Sequence, residues 1–177
     1  MTNIREGILS KVKTRELSQF VVLSSIAVFI PFYIHLQWLT GPLVNAVLII
    51  TLFLVGVRGA LVLCMVPSMM ALSGGLLPAV LAPAIPFIMF SNAILILTID
   101  YFYNNIKNKF NGFWVGAIMG SLLKFSFLYF SINIVSSLLI KQELASKITQ
   151  IFSVAQLLTA LVGSVFAFLF LKLVKKY

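Results

Sequence analysis

Negative charge is the scarcest commodity in this chain: four Asp and Glu residues stand among 177, against 13 Lys and Arg. Charged residues of both signs reach 10% and apolar ones 61%, where an ordinary soluble domain runs near ~25% and ~45–50%. No soluble fold of this size hides so much apolar side chain. A single cysteine, Cys64, lies inside an apolar run. It excludes a disulfide framework and a thiolate metal cluster, and reads as a small packing residue. The single histidine, His35, excludes a paired-histidine zinc motif and leaves every serine without a credible base. There is no P-loop and no pair of carboxylates inside an apolar run. Neither an enzyme nor a bound metal or cofactor is expected.

What the chain has instead is long apolar runs. They are continuous rather than alternating, which excludes a membrane β-barrel and leaves helices, because in lipid the backbone must satisfy its own hydrogen bonds. The expected fold is all-α, a polytopic six-helix membrane bundle in a single domain over residues 1–177. The spans fall at about 17–34, 43–57, 60–72, 86–103, 112–139 and 148–171. Pro42 suits the first turn of the second helix, Arg58-Gly59 marks a tight turn, and Pro67 loosens the third span. The stretch from Ser73 to Pro86 carries too many breakers for one helix and reads as an apolar loop tucked against its neighbours.

The first sixteen residues mix Arg5, Lys11, Lys13 and Arg15 with Glu6 and Glu16 and lack a signal-peptide core, so a cytoplasmic amphipathic lead-in is expected. With six spans and both termini cytoplasmic, Arg58, Lys107, Lys109, Lys172, Lys175 and Lys176 join those four cations inside, while Lys141 and Lys147 alone face outward. The basic balance is therefore topological. It implies contact with the lipid bilayer and no nucleic acid.

Lys124 is the unusual residue, near mid-depth in the fifth span, where a cation costs ~2.5–3.5 kcal/mol or more unless it snorkels, pairs or lines a wet cavity. One reading pairs it with Asp100 or sends it to an interface. The other puts it in an outward cavity, where it attracts an anionic or carboxylate-bearing ligand. Asn92 and Gln156 lie at depths that would share that cavity, Asn45 and Asn133 are weaker candidates, and each amide serves equally as helix-to-helix glue. The polar stretch His35 to Pro42, with Gln37 and Trp38, reads as an outer loop that could act as a lid, or as a solvated loop with an interfacial tryptophan. Gly112, Gly116 and Gly120 in span five, and Ala160, Gly163, Ser164 and Ala167 in span six, form small-residue stripes expected to pack against each other.

Six short spans with cytoplasmic ends, a basic balance and the outer loop His35 to Pro42 resemble a substrate-binding membrane subunit, or S-component, of the energy-coupling-factor micronutrient importers. The stretches Thr40-Gly41-Pro42-Leu43-Val44-Asn45-Ala46 and Leu81-Ala82-Pro83-Ala84-Ile85-Pro86-Phe87-Ile88-Met89-Phe90-Ser91-Asn92 carry the likeness. It implies an outward site for a vitamin-sized solute built from the first outer loop and spans four to six, with His35, Gln37, Trp38, Asn45, Asn92, Lys124 and Gln156 as contacts. It also implies a bacterial cell membrane, a transmembrane coupling subunit and two cytoplasmic ATPases as partners. Such subunits dock through an alanine-rich spacing on span one. Here that stretch offers Ser18, Ser24, Ser25 and Ala27, without a clean alanine pair. The alternative class is a non-transporting scaffold resembling a rod-shape-determining protein.

Overall fold

The computed structural model describes residues 2–34, 36–77, 79–139 and 154–174, with side chains outside 2–13, 37, 80, 81 and 135–139. Within these residues the chain is helical throughout: α1 (Thr2–Tyr33), α2 (Gln37–Leu54), α3 (Val57–Leu63), α4 (Val66–Ser73), a 3-10 turn (Ala79–Ala84), α5 (Ile85–Asn105), α6 (Lys109–Leu139) and α7 (Val154–Leu173). Four helical stretches, Thr14–Tyr33, Ala82–Asn105, Lys109–Ile134 and Val154–Leu173, are long and apolar enough to cross a membrane, and Trp38–Leu54 and Val57–Ser73 are shorter apolar helices. The outer surface carries large apolar side chains such as Leu17, Phe29, Phe90, Phe130 and Leu173. These features define an all-α membrane protein.

Several boundaries differ from the sequence reading, each for a local reason. The polar stretch before Pro42 is mostly helix, since α2 starts at Gln37, with Leu39 and Thr40 donating their backbone N–H to Leu36 O at 2.9 Å each. The 18-residue helix is then ~27 Å long, close to the ~30 Å hydrocarbon core. The Thr40 hydroxyl donates to Ile34 O at 2.7 Å and pins the end of α1 to the start of α2. The turn after α2 falls at Val55-Gly56 rather than Arg58-Gly59, because Gly56 takes φ +108° and ψ 170°, a region closed to residues with a Cβ. The third span breaks between Leu63 and Val66, where Pro67 cannot supply the N–H that the Leu63 carbonyl would accept. Farther on, Asn108 Oδ1 accepts from the N–H of Phe110 (3.0 Å) and Asn111 (3.3 Å), which starts α6 at Lys109.

The two small-residue stripes do not meet each other. A Cβ at Gly112 would lie 2.9 Å from Phe102 O, one at Gly116 2.9 Å from Ile99 Cα and one at Gly120 3.1 Å from Leu95 O. The span-five stripe therefore lays α6 directly on α5. A Cβ at Gly163 would lie 2.6 Å from Asn45 Cβ and 2.7 Å from Pro42 O, and one at Gly41 2.8 Å from Thr159 Cγ2, so α7 closes on α2 instead. Small residues permit such approaches in membranes, where dispersion contact between backbones replaces hydrophobic exclusion as the driving force.

Two cores result. The larger gathers Leu48, Ile49, Leu63, Ile96, Ile99 and Phe113 with their neighbours, Cys64 among them. The smaller joins Ala71, Leu77, Ala84, Leu128 and Ile132, so the breaker-rich segment after α4 is tucked between α4 and α6. At the far end of the larger core, Phe110, Phe113, Trp114 and Phe168 form an aromatic cluster. Lys109 sits 5.0 Å above the Tyr103 ring and donates to Tyr103 O at 2.8 Å, as suits an interfacial belt. The boundary between the two cores positions the polar site.

Candidate functional site

Lys124 is the central residue of the 31-residue α6, ~22 Å from either end. It is 2% exposed. Its Nζ donates to Asn45 Oδ1 at 2.6 Å and to Asn92 Oδ1 at 2.7 Å, so three helices converge on one amine. Asn45 is held in turn by its Nδ2, which donates to Gly41 O at 2.9 Å. The lysine does not pair with Asp100, which lies eight residues beyond Asn92 on α5, ~12 Å along the axis. The Asp100 carboxylate accepts from Asn104 Nδ2 at 3.0 Å instead. Among the described residues no carboxylate meets the amine.

A cavity of about 70 Å³ opens beside the Lys124 amine, against the ~10–15 Å³ that a single ordered water needs. Its polar wall is Lys124, Asn45, Asn92, Gln156, Thr40 and Ser68, and its apolar wall comes chiefly from α2, α4 and the segment after α4. Gln156 is 7% exposed, lines the cavity, and its side-chain amide makes no hydrogen bond to a described residue. Thr159 donates to the Gln156 carbonyl at 3.2 Å, beside the point where Gly41 lets α2 and α7 touch.

Of the residues singled out in the sequence, Lys124, Asn92, Gln156 and Asn45 are brought together. Asn45, the weaker expectation, is one of the two direct partners of the amine. Trp38 is 66% exposed on α2 and does not line the cavity. Gln37 opens α2 but its side chain is not described, and His35 lies outside the described residues. Asn133 donates to Tyr129 O on the exposed side of α6, away from the chamber. Ser68 was missed; it follows Pro67 in an apolar run, and only the break at that proline turns it inward.

The span-one residues expected to dock a partner divide. Ser18 and Ser25 are exposed and bond back to Thr14 O and Val21 O at 2.9 Å each. Ala27 is fully buried in the larger core, which removes it from any docking surface. Ser24 is half-buried, and its hydroxyl has no partner among the described residues.

The arrangement holds a cation and several amides in a buried site and, among the described residues, shows neither a nucleophile beside a base nor a cluster of three metal-ligating side chains. Such an arrangement can hold a polar group by charge and by hydrogen bonds. Against family models, curated proteins and solved structures, the chain matches none.

Proposed function

We propose that this chain is the substrate-binding membrane subunit of an energy-coupling-factor importer in a bacterial cell membrane. It crosses six times, with both ends cytoplasmic, and captures a vitamin-sized solute from outside. The observation that carries the reading is a buried lysine tied to two asparagines at the wall of a cavity. A cation at that depth is costly. A site for a polar solute gives a reason to keep it that helix packing does not. Four apolar helical stretches long enough to cross a membrane, with two shorter ones, support six crossings, and the excess of cations at one set of span ends supports the orientation. No carboxylate stands at mid-depth in the described helices to carry a coupling proton or sodium ion. The energy for import therefore comes from a transmembrane coupling subunit and two cytoplasmic ATPases, which dock on faces other than Ala27.

Native mass spectrometry of the tagged protein, purified in mild detergent from its own host, tests this. The expected result is a retained small molecule and co-purifying ATPase subunits. Recovery of cell-wall synthesis proteins, with neither ATPase nor bound solute, would instead establish the scaffold class and refute the proposal.

A further inference from the structure

The orientation of the two asparagines determines which chemistry the chamber presents. An ammonium only donates, so each amide must turn its oxygen toward Lys124 and its NH2 group away. For Asn45 the NH2 group is accounted for by Gly41 O. For Asn92 it is not: Nδ2 finds no acceptor among the described residues, although the residue is 3% exposed and lines the cavity. Lys124 likewise has three N–H bonds and two acceptors. Thr40 spends its hydroxyl proton on Ile34 O. The chamber thus offers a full positive charge and a surplus of donors, with no carboxylate in its lining. What is missing is a counter-charge.

We propose that the solute bound here is a compact anion, a carboxylate or similar oxyanion, whose oxygens accept from the third N–H of Lys124 and from Nδ2 of Asn92. Its apolar body lies against Val44, Ala71, Leu76, Leu77 and Ile88. This rests on the reading of the chamber as a solute site and specifies its ligand. The anion supplies the countercharge that the protein withholds, so the buried cation is neutralised only when the site is filled. Gln156, able both to donate and to accept, discriminates among bodies rather than among charges. Amines and other cationic solutes are rejected, since they meet like charge and find the two asparagine oxygens turned to Lys124.

Three probes of one skeleton, benzoate, benzamide and benzylamine, separate charge from shape. Each is titrated into the full-length protein in nanodiscs, with binding read by isothermal calorimetry in wild type, Lys124→Arg and Lys124→Met. Benzoate is expected to bind at least tenfold more tightly than benzamide, and benzylamine not to bind. Lys124→Met should abolish the benzoate preference, while Lys124→Arg, which keeps the charge, should preserve it. The wild-type ranking stands without any variant, so misfolding of Lys124→Met does not blunt the test. Benzylamine binding as well as benzoate, a benzoate affinity unchanged in Lys124→Met, or no binding of any probe would each overturn the assignment. Mass spectrometry of the native preparation then tells the failures apart. A retained solute without an anionic group leaves the binding-subunit reading standing, and a solute-free protein removes both.

Discussion

The bond between Lys124 and Asn92 is expected to be worth more than either residue alone, and a double-mutant cycle measures it. Asn92→Leu leaves a buried ammonium with a single acceptor, Asn45. Hydrogen bonds to charged groups contribute ~1.5–3 kcal/mol in soluble proteins, and side-chain bonds in bilayers run from ~0.6 to ~2 kcal/mol. A loss of about 1–3 kcal/mol follows for this variant. Lys124→Met orphans two amide oxygens at ~1–3 kcal/mol each, but it also removes a cation whose insertion costs ~2.5–3.5 kcal/mol. The terms oppose, and its net change is small. In the double variant the Asn92 oxygen is gone as well, so it should be no less stable than Lys124→Met, and the coupling free energy is then at least the Asn92→Leu loss of about 1–3 kcal/mol. Cys64, fully buried and the chain's one thiol, supplies the readout, because a thiol-reactive fluorophore labels it only on unfolding. Additive single effects, or an Asn92→Leu variant as stable as wild type, would refute the reasoning.

Other substitutions probe the frame around the site. Gly163→Val forces a side chain into Asn45 and Pro42, and should cost ~1–3 kcal/mol and abolish solute binding, checked by thermal unfolding and by titration. Gly56→Ala meets nothing within 4 Å, so its ~1–3 kcal/mol penalty is pure backbone strain and should leave affinity unchanged. Trp38→Ala removes an exposed ring away from the cavity and should alter affinity less than twofold in the same titration.

Which apolar stretches become helices was readable from the sequence, because continuous hydrophobic runs in lipid admit few alternatives. Where they stop was not. Gly41 looks like a loop residue by its backbone preference, yet it serves inside α2 as the place where Thr159 comes within 2.8 Å of where a Cβ would stand. In a membrane helix a breaker is often a packing residue. The small-residue stripes announced close approach without naming the partner, since smoothness is a property of one helix and pairing is a property of two. The same limit applies to the site. Lys124 needed a partner on energetic grounds, but nothing local distinguished Asp100 from Asn45, which lies 79 positions away in the chain.

Two helix pairs, α5 on α6 and α2 on α7, are each locked by glycine contacts, and the chamber lies at the seam between them. Asn92 and Lys124 belong to the same pair, so their bond braces something already rigid. Asn45 belongs to the other, and its bond to Lys124 crosses the seam inside the buried polar site. The two asparagines therefore differ in mechanical role despite nearly equal distances to the amine. Asn45→Leu should let the pairs drift, whereas Asn92→Leu should not. Spin labels at Trp38 on α2 and Phe130 on α6, both exposed, report the separation once Cys64 is replaced by alanine. A broader distance distribution in Asn45→Leu alone is expected from pulsed dipolar spectroscopy. No broadening in either variant would mean that the seam is held by packing of α6 on α7 and α2 on α5, with the lysine contributing charge but no tie.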